Sequence, residues 1–114
     1  IVMLQKDFVQ KLRETSKNRK AISVLADYGF NIETLKHIKK HNFSPEPKVD
    51  SVIVQIRQKR ILEKELILNV NKLFSYRRKT VHNILKKFGK NNKSKKRLEE
   101  LTTNEIIKLA KDIT

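Results

Sequence analysis

Both prolines of the chain, Pro45 and Pro47, fall in residues 42–51, which read N-F-S-P-E-P-K-V-D-S. Proline holds φ near −65° and presses the residue before it into extended geometry. Ser44, Pro45, Glu46 and Pro47 therefore predict a stiff, extended segment through which no helix can pass. Directly behind it comes the apolar run Val52, Ile53, Val54, Gln55, Ile56, the best strand in the chain. The ring of Phe43 is thus carried on a rigid arm ahead of a strand, a way of holding a flat ligand. The competing reading is Phe43 as filler beneath a loop, the default for a lone Phe. Asp50 is expected to fix the loop by accepting hydrogen bonds from backbone amides.

The other elements arrange themselves around that punctuation. Residues 1–4 are apolar at consecutive positions, which reads as a buried strand of a parallel sheet with neighbours on both sides. Only two further strands are on offer, near residues 30–38 and 51–57, so we expect the C-terminal portion of a larger protein. The strand ending at Gln5 is expected to be central, with the strands near Phe30 and Val52 antiparallel at the sheet edge. Between them lie a short helix from Lys6 to Arg13 with Phe8, Val9 and Leu12 on one face, and a polar loop over residues 15–20. A second helix, from Lys20 to Tyr28, is expected to bury Ile22, Val24 and Leu25 and to stop at Gly29, using glycine's freedom in φ.

From residue 58 the period changes. Leu62, Leu66, Val70, Leu73 and Phe74 form one helical stripe, and Val81, Ile84, Leu85 and Phe88, closed by Gly89, form another. Thr102-Thr103-Asn104-Glu105 fits a capping box ahead of Ile106, Ile107, Leu109 and Ala110. The expected architecture is α/β over residues 1–57 followed by an all-α domain over residues 58–114.

Charge narrows the function. Lys and Arg number 27 against 12 Asp and Glu, a formal net charge of +15, which calls for a polyanionic partner. Residues 1–57 carry +5 and residues 58–114 carry +10. From Tyr76 to Arg97 there are ten basic side chains and no acidic one. A solvated helix face normally interleaves acids, so phosphate binding is the better reading. The expected contacts are Arg77, Arg78, Lys79, Lys86, Lys87, Lys90, Lys93, Lys95, Lys96 and Arg97, with Lys48 on the proline loop. Arginine grips phosphate as a bidentate fork and lysine as a point charge. Such contacts position a nucleic acid without specifying bases; A-form RNA, read largely by backbone and shape, suits them, and charge alone leaves DNA open.

Other chemistry is poorly represented. Cysteine is absent, and His37, His41 and His82 lack metal-ligand spacing, so no metal site is expected. The glycines are Gly29 and Gly89, too few for a loop that cradles a dinucleotide or S-adenosylmethionine. No stretch approaches the roughly eighteen apolar residues of a membrane span.

Four stretches, in order and covering nearly the whole chain, resemble one family. Val2-Met3-Leu4-Gln5-Lys6-Asp7-Phe8 is similar to "MLQKEF" and Ala21-Ile22-Ser23-Val24-Leu25 to "LSVL", although Asn18, Arg19 and Lys20 replace the usual preceding tyrosine and glycine. F-x-P-x-P-K-V-D-S with its following strand resembles the signature late in the catalytic domain of the rRNA adenine N6-dimethyltransferases (KsgA and Erm type). Residues 74–83, F-S-Y-R-R-K-T-V-H-N, are close to the "FSQRRKTLRN" helix of that family's small C-terminal domain.

The resemblance implies the end of a Rossmann-like methyltransferase sheet followed by a helical RNA-binding domain. The parent activity would be S-adenosylmethionine-dependent dimethylation of adenines in small-subunit rRNA during ribosome biogenesis, in the cytoplasm, by a monomer. The family's cofactor loop and N-L-P-Y motif match nothing here, so this chain alone should bind no cofactor and be inactive. Phe43 would be one face of the clamp on the target adenine. Two alternatives stand beside this: a non-catalytic basic nucleic-acid-binding module serving transcription or ribosome assembly, and a resistance methylase of large-subunit rRNA.

Overall fold

In the computed structural model, which describes residues 1–15 and 19–113, five helices and three strands follow one another. They are β1 (Val2–Gln5), α1 (Lys6–Leu12), α2 (Ala21–Gly29), β2 (Phe30–Ile38), β3 (Ser51–Gln58), α3 (Lys64–Phe74), α4 (Val81–Lys87) and α5 (Thr103–Asp112). Short 3₁₀ turns occupy Lys40–Asn42 and Leu98–Glu100. All strands precede residue 59, and the elements described after it are helices joined by turns and loops, with one isolated β-bridge between Thr80 and Arg97, as the change of period predicts. Of the polar loop expected over residues 15–20, residues 16–18 lie outside the described residues.

The sheet corrects the expected strand order. β3, not β1, is central, in the order β1-β3-β2, and both pairings are antiparallel. β2 and β3 do pair as expected, from Phe30 opposite Gln58 to Ile38 opposite Ser51. β1 pairs with β3 alone, Val2 opposite Val54 through Gln5 opposite Ser51. Its apolar run signalled burial on both faces, yet Ile1 is 81% exposed and Met3 53%. Only Leu4 of this strand packs into the small cluster that Val9 of α1 forms with Val52, Val54 and Ile32. The mixed spacing of Phe30, Ile32, Leu35 and Ile38 also has a cause. The pairing slips between Thr34 and Lys36, a bulge that leaves Leu35 unpaired and exposed and shifts the phase of the residues after it.

The larger apolar cluster joins helices across the chain. Leu66, Val70, Leu73 and Phe74 of α3 pack with Val81, Ile84 and Leu85 of α4 and with Ile106, Ile107, Leu109 and Ala110 of α5. Val24 and Leu25 of α2 belong to it as well, so the apolar clusters do not divide the chain at residue 58. Ile22 and Phe8, expected inside, are 40% and 41% exposed, because the faces that bury Val24 and Val9 point the other way.

The two glycines play different parts. Gly29 ends α2 without a positive φ, contrary to the expectation. A Cβ there would lie 2.9 Å from Cγ of Leu62, so glycine is needed for close packing. Gly89 does take φ +72° and closes α4. Its N–H donates to the carbonyl of Lys86 at 3.2 Å and that of Lys90 to Leu85 at 2.9 Å, a complete Schellman pattern.

Candidate nucleic-acid interface

The basic segment is built as two chain stretches laid against each other. α3 ends at Phe74, and residues 75–79 continue as turns, with the Tyr76 N–H donating to Leu73 O at 3.0 Å and the Lys79 N–H to Tyr76 O at 2.8 Å. Thr80 then caps α4, its Oγ1 accepting from the Asn83 N–H at 3.3 Å. Past Gly89 the chain returns along the same edge. The Val81 N–H donates to Lys96 O at 2.8 Å and the His82 N–H to Ser94 O at 3.2 Å. The Leu98 N–H donates to Lys79 O at 3.3 Å and the Glu99 N–H to Arg77 O at 3.2 Å, and Thr80 and Arg97 form an antiparallel bridge.

This pairing brings Arg77, Arg78 and Lys79 beside Lys93, Lys95, Lys96 and Arg97. Lys86 and Lys87 extend the surface on the last turn of α4, where cations also suit the helix dipole, and Lys90 follows in the Schellman turn. All of these side chains are exposed except Arg77, which is half-buried. Among the described residues none of them forms an ion pair with a carboxylate within 4 Å. Cations of one sign are therefore held close together by backbone hydrogen bonds, with no carboxylate in direct contact among the described residues. An external polyanion would relieve that repulsion. Lys48 stands apart, in the loop between the Lys40–Asn42 turn and β3.

What sequence reading missed is the anchor under this surface. Leu98 and Leu101 are buried in the main cluster, Leu98 completely, and pin the returning stretch at its far end. They looked like stray leucines beside a polar loop, and only the apolar spacing 98, 101, 106 could have flagged them. Arg19, read as loop, is also buried, at 6% exposure, and its Nε and Nη2 have no hydrogen-bond partner among the described residues. Burial lowers its pKa, against the opposing pull of Asp27 and Glu105.

Phe43 sits at the other end of the molecule's punctuation. The segment expected to run straight instead bends over residues 43–45, after the 3₁₀ turn, with a cis Ser44–Pro45 bond. Asp50 anchors it as expected. Its Oδ1 accepts the Lys40 N–H at 2.8 Å, its Oδ2 lies 3.9 Å from Nζ of Lys39, and its carbonyl accepts the Lys6 N–H at 2.9 Å. The Lys40 hydrogen bond is the main reason the Asp50 carboxyl lies below its ordinary pKa, with Lys39, Lys6 and Lys40 adding charge attraction. Phe43 itself is half-buried and belongs to neither apolar cluster among the described residues.

Of the two glycines, Gly29 is closed by Leu62 and Gly89 caps α4. Among the described residues no group of three or more His, Asp or Glu side chains could hold a metal ion. No described helix is long and apolar enough to cross a membrane.

The family model described as ribosomal RNA adenine dimethylase matches residues 1–112. The chain belongs to this family. It is 33% identical to the ribosomal RNA small subunit methyltransferase A of Phytoplasma australiense, over 96% of this chain and 46% of that protein. The Francisella tularensis protein of the same name is also 33% identical, over 95% and 47%. The chain thus spans about half the length of the curated relatives it matches. A dimethyladenosine transferase from Plasmodium falciparum shares the fold, with a TM-score of 0.76 at 22% identity over 94% of this chain and 54% of that one. The 23S rRNA methyltransferase ErmE superposes less closely, with a TM-score of 0.54 at 16% identity over 97% and 52%. The small antiparallel sheet with its helices is thus part of a methyltransferase fold.

Proposed function

We propose that this dimethylase-family chain docks small-subunit rRNA, within an enzyme that dimethylates adenines at their exocyclic amine during ribosome biogenesis. The observation that carries the docking role is the pairing of residues 77–81 with residues 94–99. It concentrates arginine and lysine on one edge, where none of them forms an ion pair with a carboxylate within 4 Å among the described residues. Arg77 and Arg78 would take phosphates as forks, and Lys79, Lys86, Lys87, Lys90, Lys93, Lys95, Lys96 and Arg97 would neutralise the backbone around them. Lys48 would touch the same strand nearer the target base.

Phe43 would form one wall of the target-base pocket. An enzyme acting on an adenine amine draws the base out of its stack and holds it flat. A half-buried ring outside both apolar clusters, on a loop tied down by Asp50, suits that task. S-adenosylmethionine would supply the methyl group from residues outside this chain, so the chain alone would be inactive. We place the assembled protein in the cytoplasm as a monomer.

The test is salt-dependent binding to small-subunit rRNA. Reversing Arg77, Arg78 and Lys79 to Glu should weaken binding and flatten the salt dependence, whose slope is about −0.7 to −0.9 per phosphate neutralised. The loss should be similar across RNA sequences, because phosphate contacts do not specify bases. A wild-type slope in the triple variant would refute the docking assignment.

A further inference from the structure

Within the basic edge lies the ring of Tyr76, and two lysines crowd it. Nζ of Lys87 lies 5.1 Å from the centroid of the Tyr76 ring and Nζ of Lys79 lies 5.5 Å from it. Neither ammonium has a carboxylate within 4 Å among the described residues. Two like charges share the neighbourhood of one π system, the electron-rich surface available to both. The ring is also fixed. The Tyr76 backbone N–H and C=O are both used in the turn, and part of the ring packs against the main apolar cluster while the rest stays accessible. Beside it Ser75, Tyr76, Arg77, Arg78 and Lys79 line an open depression of about 380 Å³, ample for a nucleobase. Tyr76 stands where the motif that this segment resembles has glutamine, so the ring is a departure from that motif.

We infer that Tyr76 is a stacking site for one unpaired base of the docked RNA. The base would take the π face, and Lys79 and Lys87, displaced from it, would swing to the flanking phosphates together with Arg77 and Arg78. A paired base cannot do this, because its faces are already covered in the helical stack. The site therefore selects a single-stranded nucleotide and adds an interaction that salt does not screen. This inference rests on the docking reading above but invokes a separate interaction, a base face in place of a phosphate.

Fluorescence anisotropy of the full chain with a short single-stranded RNA, and with an abasic strand of equal length, tests it. Tyr76→Leu, which keeps the apolar packing and removes the π face, should weaken binding of the intact strand roughly five- to a hundredfold with the salt slope unchanged. Tyr76→Phe should bind as the wild type does. The abasic strand should bind wild type and Tyr76→Leu equally, and both weakly; its comparison with the intact strand on wild type needs no assumption about how any variant folds. Lys79→Gln with Lys87→Gln should instead lower the slope, by about 0.7 for each phosphate no longer neutralised. Wild-type binding of the abasic strand as tight as of the intact one would overturn the inference. Salt-dependent affinity indifferent to Tyr76 and to the bases would leave docking and remove the stacking site; salt-independent affinity that needs both would do the reverse.

Discussion

Gly29→Ala tests the joint between the sheet and the helical cluster. The carbonyl of Gly29 accepts the N–H groups of Lys59 at 2.8 Å and Arg60 at 3.2 Å, where the chain leaves β3. An added Cβ would meet Cγ, Cδ1 and Cδ2 of Leu62 at 2.9, 3.0 and 3.1 Å. Carbon atoms prefer about 3.5–4.0 Å, so the methyl group overlaps the whole branch of the leucine. Overpacking of this kind costs about 1–3 kcal/mol, while alanine recovers up to about 1 kcal/mol of helix propensity. The net loss should be about 0–3 kcal/mol. In a Leu62→Ala background the three clashing atoms are gone, and Gly29→Ala should become neutral or stabilising by up to about 1 kcal/mol. The coupling between the two sites is then about 1–3 kcal/mol. Urea midpoints of the four proteins, at constant m, measure it directly. Equal losses in both backgrounds would show that Gly29 is needed for its backbone and not for the approach of Leu62.

Three further outcomes follow from other parts of the structure. Leu98→Ala, at a fully buried side chain, should cost about 2–5 kcal/mol and loosen the returning basic stretch, read as a lowered melting temperature together with weaker RNA binding. The Glu105 carboxyl lies below its ordinary pKa, chiefly because the Thr102 N–H donates to it and secondly because of the Thr102 hydroxyl. Its folded-state pKa is depressed, so its contribution is complete above the ordinary carboxylate value of about 4.3 and is lost as pH falls through the folded value. The stability gap between wild type and Glu105→Gln should therefore shrink in acid, and a gap constant with pH would refute the capping account. In the complete enzyme, Phe43→Ala should slow single-turnover methylation roughly ten- to a hundredfold while Phe43→Tyr retains most of the rate. An unchanged rate with a lower melting temperature would make Phe43 packing and not pocket.

Much of the secondary structure could be read from local pattern. β3 follows from the alternation after two prolines, α5 from a capping box that forms as written, with Thr102 Oγ1 accepting from the Glu105 N–H at 3.3 Å and Glu105 Oε1 from the Thr102 N–H at 3.1 Å. Asp50 takes the anchoring part expected of it. These succeed because the partners lie within a few residues of one another or share one turn. The basic segment was equally plain as composition, since ten cations without an acid need no geometry to be noticed.

The order of the strands was not legible, because an apolar run reports that a strand wants cover and not which strand stands beside it. Hydrogen bonds between β1 and β3 join residues about fifty apart in the chain, and no local preference encodes that choice. The same holds at the functional edge. Along the chain the charges on residues 77–79 and 93–97 are two separate runs. Their meeting depends on Gly89 reversing the chain, on four backbone hydrogen bonds, and on Leu98 finding the helical core. The cations and the ring of Tyr76 are sequence properties, fixed by covalent chemistry. Their assembly on one face is a tertiary property, because only burial of the distant leucines supplies the free energy that holds like charges together.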